Sequence, residues 1–243
     1  MKRVLAALLL IGMSLPCLGQ EGASLASVKV DLADKAALQD GARTFVNYCM
    51  GCHGARFQRY ERVADDLGIP HDLMLEKMVF TGAKIGDHME TGMRPADAKV
   101  WFGTAPPDLT LVARVRGNDW LYSYLHAFYE DPSRPWGVNN KVFPNVGMPN
   151  VLAALQGRQV LGCKGEAASA AAGCDELKVL PNTGTLNAQQ FDEKIRNLVT
   201  FLAYSANPVQ LKSQRVGTYV LLFLAFFLIF AYLLKREYWK DVH

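Results

Sequence analysis

Two stretches of the chain are continuously apolar, and most of the rest repeats at helical spacing. Val216 to Leu234 runs 19 residues without a charge. At 1.5 Å per residue that is roughly 28 Å, close to the ~30 Å hydrocarbon core of a bilayer. Tyr219, Tyr232, Tyr238 and Trp239 lie near its ends, Lys212 and Arg215 precede it, and Lys235, Arg236 and Lys240 follow. This is the pattern of a spanning helix with interfacial aromatics. The first run, Val4 to Leu15, is shorter, follows Lys2 and Arg3, and leads into small residues. It reads as a secretory signal with cleavage near Gly19. Cys17 would leave with that signal, since Pro16 before it argues against lipid attachment.

Between these runs, apolar residues recur every three or four positions in four segments. Asp34 to Cys49 carries Leu38, Ala42, Phe45 and Cys49 on one face. A second helix is expected over His71–Phe80, after Pro70. A third follows Asn118, its N-cap, with Trp120, Leu121, Tyr124, Leu125 and Phe128 as its stripe. A fourth spans Ala188–Ala206, and Pro208 separates it from the membrane segment. Met74, Met78 and His126 fall on such stripes and are expected to be core or structural residues. No alternating run is long enough for a substantial sheet. The expected fold is therefore mainly α with one C-terminal transmembrane helix. The expected division is 1–19 signal, 20–212 exported domain, 213–236 anchor and 237–243 cytoplasmic tail.

Charge sharpens this only by exclusion. Away from the termini and the anchor flanks, 20 basic residues face 21 acidic ones. No basic stripe points to a nucleic-acid partner. No nucleophile–base constellation points to hydrolytic or group-transfer chemistry.

The chemistry concentrates in CMGCH, Cys49 to His53. Cys-x-x-Cys-His is the spacing of covalent c-type haem attachment. Two thiols one turn apart add to the two vinyl groups of one porphyrin, and the next residue, His53, faces the iron. Zinc would want a second ligand pair, and a thioredoxin-like site would sit beside a βαβ unit; neither is present. Cys163 and Cys174 bracket the low-complexity segment GEAASAAAG, and in an exported chain they read as a disulfide. A haem held by one histidine needs a sixth ligand or an open position. Met148, between Gly147 and Pro149, is one candidate; Met89 and Met93 in HMETGMRP are the others.

GARTFVNYCMGCH resembles the first helix and attachment motif of class I c-type cytochromes, and LVTFLAYSA (198–206) is similar to their last helix. RFQRYERVADDLGI (56–69), WFGTAPPDLTLVARVRGNDWLYSYL (101–125), RPWGVNN (134–140) and VFPNVGMPNVL (142–152), with the C-terminal anchor, resemble the cytochrome c1 family of the bacterial type. The resemblance implies a class I cytochrome c-like haem domain with insertions and one covalently attached haem c. It implies Cys49 and Cys52 as thioether anchors and His53 and Met148 as axial ligands. It puts Pro107 against the haem face, Arg116 on a propionate and Trp120 near the propionates. The implied role is electron transfer, not catalysis by the subunit alone, in a quinol–cytochrome c oxidoreductase. One electron would come from a Rieske iron–sulfur subunit and pass to a soluble cytochrome c or an equivalent acceptor, beside a cytochrome b subunit. An anchored subunit of a terminal oxidase is the alternative. The implied location is the inner (cytoplasmic) membrane, single-pass, haem domain on the periplasmic side. Asp65, Asp66, Asp72 and Glu76 form a modest acidic cluster, so strong steering of a basic acceptor is not expected.

Overall fold

Asp34 opens the first helix by accepting the Ala37 N–H at 3.0 Å. That helix, α1 (Lys35–Thr44), is the first element of a computed structural model whose described residues are 25–162 and 175–241. The expected signal, Cys17, Cys163 and Cys174 lie outside those residues. The expected Asp34–Cys49 helix does not finish as α-helix. Phe45–Cys49 forms one π-helical turn, closed by Met50 N–H to Phe45 O at 2.9 Å. The wider turn carries one extra residue, so the chain arrives at CMGCH rotated relative to a regular helix.

After the motif, β1 (Ala55–Arg59) pairs antiparallel with the two-residue strand β2 (His88–Met89). Between them run α2 (Tyr60–Leu67) and α3 (His71–Met78). Gly68 ends α2 in the left-handed region at φ 73°, where glycine is the favoured residue. Two further helices, α4 (Pro95–Phe102) and α5 (Val112–Arg116), lead to α6 (Asn118–His126). Gly117, not Asn118, is the residue preceding the first turn of α6, and Asn118 is already helical. Next come the hairpin β3 (Phe128–Glu130) with β4 (Val138–Asn140), the short α7 (Ala153–Gln156), and the pair β5 (Gln159–Gly162) with β6 (Glu176–Val179). Among the described residues each sheet has only two strands.

The last helix of the head, α8 (Ala188–Ala206), starts with a reciprocal cap: Asn187 accepts Gln190 N–H, and the Gln190 side chain accepts Asn187 N–H. It crosses α1 at Gly41. A Cβ added there would lie 2.0 Å from Asn197 O and 2.8 Å from Phe201 Cβ, so the backbones meet where no side chain fits. Beside that contact the Phe45 and Phe201 rings pack at 5.5 Å, both fully buried. These residues and Leu38, Ala42, Tyr60, Ile195 and Leu198 form the core of the head.

Asp40 bolts the same crossing from the outside. Its carboxylate accepts Lys194 Nζ at 2.6 Å, Asn197 Nδ2 at 3.0 Å and Arg43 at 2.6 Å. Burial alone would raise its pKa, but these hydrogen bonds and the Lys194 charge outweigh it and hold the carboxyl below the usual range. A depressed acid stabilises the fold above its unfolded value, about 3.9, and loses that as pH falls through the lower folded value. Asp40→Asn is therefore expected to cost on the order of 1 kcal/mol at pH 7, after solvent screening. It should cost nearly nothing at the acid end. Denaturant melts of both proteins from pH 7 to pH 2 check this; a pH-independent difference would contradict it.

Beyond Pro208 the chain forms α9 (Gln210–Tyr238), 29 residues long. It begins earlier and ends later than the apolar run, so Lys212, Arg215, Lys235 and Arg236 all lie on it. None of its residues is buried against the head. Its exposed surface of Leu, Phe, Val and Ile is what a lipid-facing helix presents.

Candidate cofactor site

CMGCH turns over on itself directly after the π-helical turn. Cys52 N–H reaches Cys49 O at 3.0 Å and His53 N–H reaches it at 2.8 Å. One carbonyl thus holds a loop that presents Cys49, Cys52 and His53 to one cavity of about 330 Å³. The two cysteines are not bonded to each other. Burial, with a smaller contribution from neighbouring Cys52, pushes the Cys49 thiol up to about 12, and burial raises Cys52 too.

His53 owes its orientation to a backbone atom. Its Nδ1 lies 2.7 Å from the Pro107 carbonyl. A carbonyl only accepts, so Nδ1 carries the proton and Nε2 keeps its lone pair. Burial pushes the imidazole below its ordinary pKa, while Pro107 and Asp108 partly oppose this, so the ring is neutral at neutral pH. The loop carrying Pro107 is pinned in turn. Leu109 N–H binds Gly54 O at 2.8 Å, and Asp108 accepts Arg56 N–H at 2.8 Å and the Thr110 hydroxyl at 2.6 Å. The segment APPDL therefore locks onto the chain just after the motif.

Met148 lines the same cavity, between Gly147 and Pro149. The Tyr124 hydroxyl donates to its sulfur at 3.4 Å. Met89 is fully buried in the core beside β1, and neither it nor Met93 lines the cavity. Asn139 and Asn140, at the end of RPWGVNN, build the loop that brings Met148 in. Asn140 donates to Tyr124 O at 2.8 Å and accepts Val142 N–H at 2.9 Å and Phe143 N–H at 3.1 Å. Asn139 accepts Asn145 N–H at 2.8 Å and donates to Asp131 at 3.0 Å. Asn145 itself adopts φ 63°, a conformation asparagine tolerates better than most residues. Asn140 is 1% exposed, so Asn140→Ala takes the partner from three part-buried backbone groups on both sides. It is expected to cost about 2–4 kcal/mol and loosen the Met148 loop. A denaturant melt, read beside the absorption spectrum of the loaded protein, checks both effects.

Arg116 and Trp120 meet at the cavity edge. The guanidinium lies 4.9 Å from the Trp120 ring centroid and 5.8 Å from that of Phe143. Trp120 stacks on Tyr124 at 4.8 Å. Arg116 has no carboxylate partner among the described residues. The remaining lining is mostly apolar, including Leu109, Leu121, Val146, Val151, Leu198 and Leu202. Such a lining, with two thiols, an imidazole, a thioether and a guanidinium without a carboxylate partner, fits a flat apolar cofactor with an acidic edge. His126 lies outside the cavity, its Nδ1 on Tyr122 O at 2.9 Å and its ring edge-on to Phe191, as a structural histidine would be. Two contributors went unread in the sequence: the Pro107 carbonyl and the Asn139–Asn140 pair. Only the clustering of Asn after a Gly in RPWGVNN hinted at the latter.

The sequence matches the family described as "Cytochrome C1 family" over residues 27–242. It is 47% identical to cytochrome c1 of Allochromatium vinosum, over 100% of this chain and 99% of that one. It is 43% identical to a Nitrosomonas europaea protein named ammonia monooxygenase gamma subunit, covering 100% of this chain and 98% of the other. Cytochrome c1 of Rhodobacter capsulatus is 23% identical over 85% of this chain and 83% of its own. With a family match over most of its length, a haem-compatible cavity and an apolar C-terminal helix, the chain belongs to the cytochrome c1 family, the membrane-anchored haem subunits of respiratory electron transfer.

Proposed function

We propose that the chain carries one haem c, bonded through Cys49 and Cys52 and ligated by His53 Nε2 and Met148 Sδ. The observation that carries this reading is the single cavity lined by Cys49, Cys52, His53, Arg116 and Met148, which are spread over about a hundred residues of sequence. When bound, the haem iron supplies a one-electron couple, and a histidine–methionine pair favours a high potential. The residues around it do the rest. Pro107 O holds the His53 proton and so keeps Nε2 aimed inward. Arg116 offers a propionate a charge-assisted partner, with Trp120 and Phe143 stacking on the guanidinium. The apolar lining keeps water from the iron.

The subunit accepts one electron from a Rieske iron–sulfur protein and passes it to a soluble cytochrome c or an equivalent acceptor, beside a cytochrome b subunit. Its parts are a signal (1–19), a periplasmic head (20–212), an anchor in the inner membrane (213–236) and a cytoplasmic tail (237–243). Of the acidic residues on α2 and α3, Asp65 pairs with His71, Asp66 with Arg62, and Glu76 with Lys77. That internal pairing supports an acceptor docked without strong electrostatic steering.

Purification in mild detergent tests the assignment. A b-type cytochrome and an iron–sulfur protein should co-purify, and added quinol should reduce the c-type haem. A copper oxidase in the preparation would instead favour the terminal-oxidase alternative. Co-purifying monooxygenase subunits would favour the role in the Nitrosomonas relative's name.

A further inference from the structure

Where the head meets the anchor there is a second cleft, lined by other residues of α5 than the haem cavity is, with a volume of about 480 Å³. Arg114, Asn118, Asn207, Gln210, Ser213 and Gln214 line it over a floor of alanines. No carboxylate lines it. None of these six side chains has a hydrogen-bond or ion-pair partner among the described residues; Gln214, for instance, is engaged only through its backbone carbonyl. The acid nearest in sequence, Asp119, is occupied by Val28 N–H at 2.8 Å. The cleft therefore gathers one permanent cation and several free donors with nothing inside the protein to satisfy them. Such a site selects an anion with several acceptor oxygens.

Its height above the membrane narrows the choice. The apolar run begins at Val216. Ser213 and Gln214 precede it by two or three residues, and Gln210 by six, so the cleft wall stands roughly 3–9 Å outside the hydrocarbon edge. The headgroup layer occupies about the first 5–8 Å there. Lys212 and Arg215, both exposed on the same helix, add positive charge at that depth. Val115, 76% exposed beside Arg114, gives the head an apolar edge next to the cleft.

We propose that this cleft binds the phosphate of a membrane phospholipid, with Arg114 as its charged partner and the asparagine, glutamine and serine side chains as donors. The bound lipid fixes the head against the bilayer at the neck of the molecule. The proposal rests on the anchor reading of α9, which has its own separate check. Alkaline carbonate should leave the wild-type chain in the membrane; its release would sink the anchor and not merely the cleft.

The haem-loaded full chain, stripped of lipid in detergent, is titrated with phosphatidylglycerol and followed by native mass spectrometry. One molecule should bind saturably. Arg114→Gln should weaken binding about tenfold, as expected for losing a charge-assisted contact, while Arg236→Gln at the other end of α9 should not. An unchanged absorption spectrum shows that the variant is folded, and Gln214→Ala, expected to weaken binding less, serves if it is not. Equal affinity in wild type and Arg114→Gln, or equal loss in Arg236→Gln, would overturn the proposal. Inorganic phosphate at the same concentrations should not compete; full competition would make the site one for free phosphate instead. In the intact complex, a benzophenone side chain at Asn118 should cross-link to lipid. Cross-linking to a neighbouring subunit would show the cleft to be a protein interface and overturn the lipid assignment.

Discussion

Met148→Leu is expected to lower the midpoint potential of the bound haem by on the order of 100–300 mV, within the roughly 0.8 V over which axial ligands move haem potentials. Leucine keeps nearly the volume and apolarity of methionine, so the loop should still close and the cavity should stay dry. What disappears is the thioether sulfur and the hydrogen bond that Tyr124 gives it. Loss of the sulfur removes the ligand that favours the ferrous state. A quinol-driven assay of the complex should then show no reduction of this haem, because its potential has fallen below that of its donor. Redox titration of the purified chain measures the first effect, and stopped-flow reduction the second. An unchanged potential would mean that Met148 is not a ligand. Met89 and Met93 would then need testing, although neither lines the cavity.

The second large effect is on the fold. Gly41→Ala is expected to destabilise the head by about 3 kcal/mol or more, the upper end of overpacking costs. In an exposed helix the same change would help by up to about 1 kcal/mol. Here the sign reverses because the new Cβ would sit 2.0 Å from Asn197 O. That oxygen belongs to the backbone of α8 and cannot rotate away, so the crossing must open. Opening it separates Phe45 from Phe201 and shifts the turn that carries Cys49. Gly92 provides the control: nothing lies within 4 Å of a Cβ added there, so Gly92→Ala should change stability by less than about 0.5 kcal/mol. Thermal melts of both variants, read by far-ultraviolet circular dichroism, compare them. A melt for Gly41→Ala within error of wild type would show that the crossing is looser than described.

The parts of this protein that could be read in advance are those that write a repeating side-chain signal. α8 runs over Ala188–Ala206 as the spacing predicts, and its Pro208 stop is followed at once by a new helix. The 3–4 stripe of Leu38, Ala42 and Phe45 found α1, yet it could not reveal the π-helical turn at Phe45–Cys49. One inserted residue shifts the register by less than such a short stripe can resolve. His71–Phe80 ended two residues early, at Met78, a boundary with no cap to announce it. α2, α4, α5 and α7 have at most eight residues, too few for two clear repeats of a 3.6-residue period, and α3, equally short, is legible only with Pro70 marking its start. The short hairpins escaped for the same reason.

The site divides along a similar line. Cys49, Cys52 and His53 announce themselves because Cys-x-x-Cys-His is a spacing that covalent haem attachment requires. Met148 is one of three open candidates in the sequence, favoured by the resemblance, and of the three only Met148 lines the cavity that Cys49, Cys52 and His53 line. The resemblance puts Pro107 against the haem face; its carbonyl, holding His53 at 2.7 Å, is the additional contribution. Backbone acceptors leave no mark in a sequence, since every residue has one. Asn139 and Asn140 were hidden differently: their side chains replace backbone partners within a loop, which only a folded chain displays.

The most direct measurement is whether the cofactor remains on the chain when the protein is unfolded. The protein, purified from membranes and treated with acidified acetone, is examined as its alkaline pyridine haemochrome and weighed intact. One haem per chain should resist extraction, with a ferrous α-band typical of two thioether bonds and a mass greater by one haem. That haem should be lost in the double variant Cys49→Ser, Cys52→Ser. Haem that extracts freely, or no haem at all, would contradict covalent attachment.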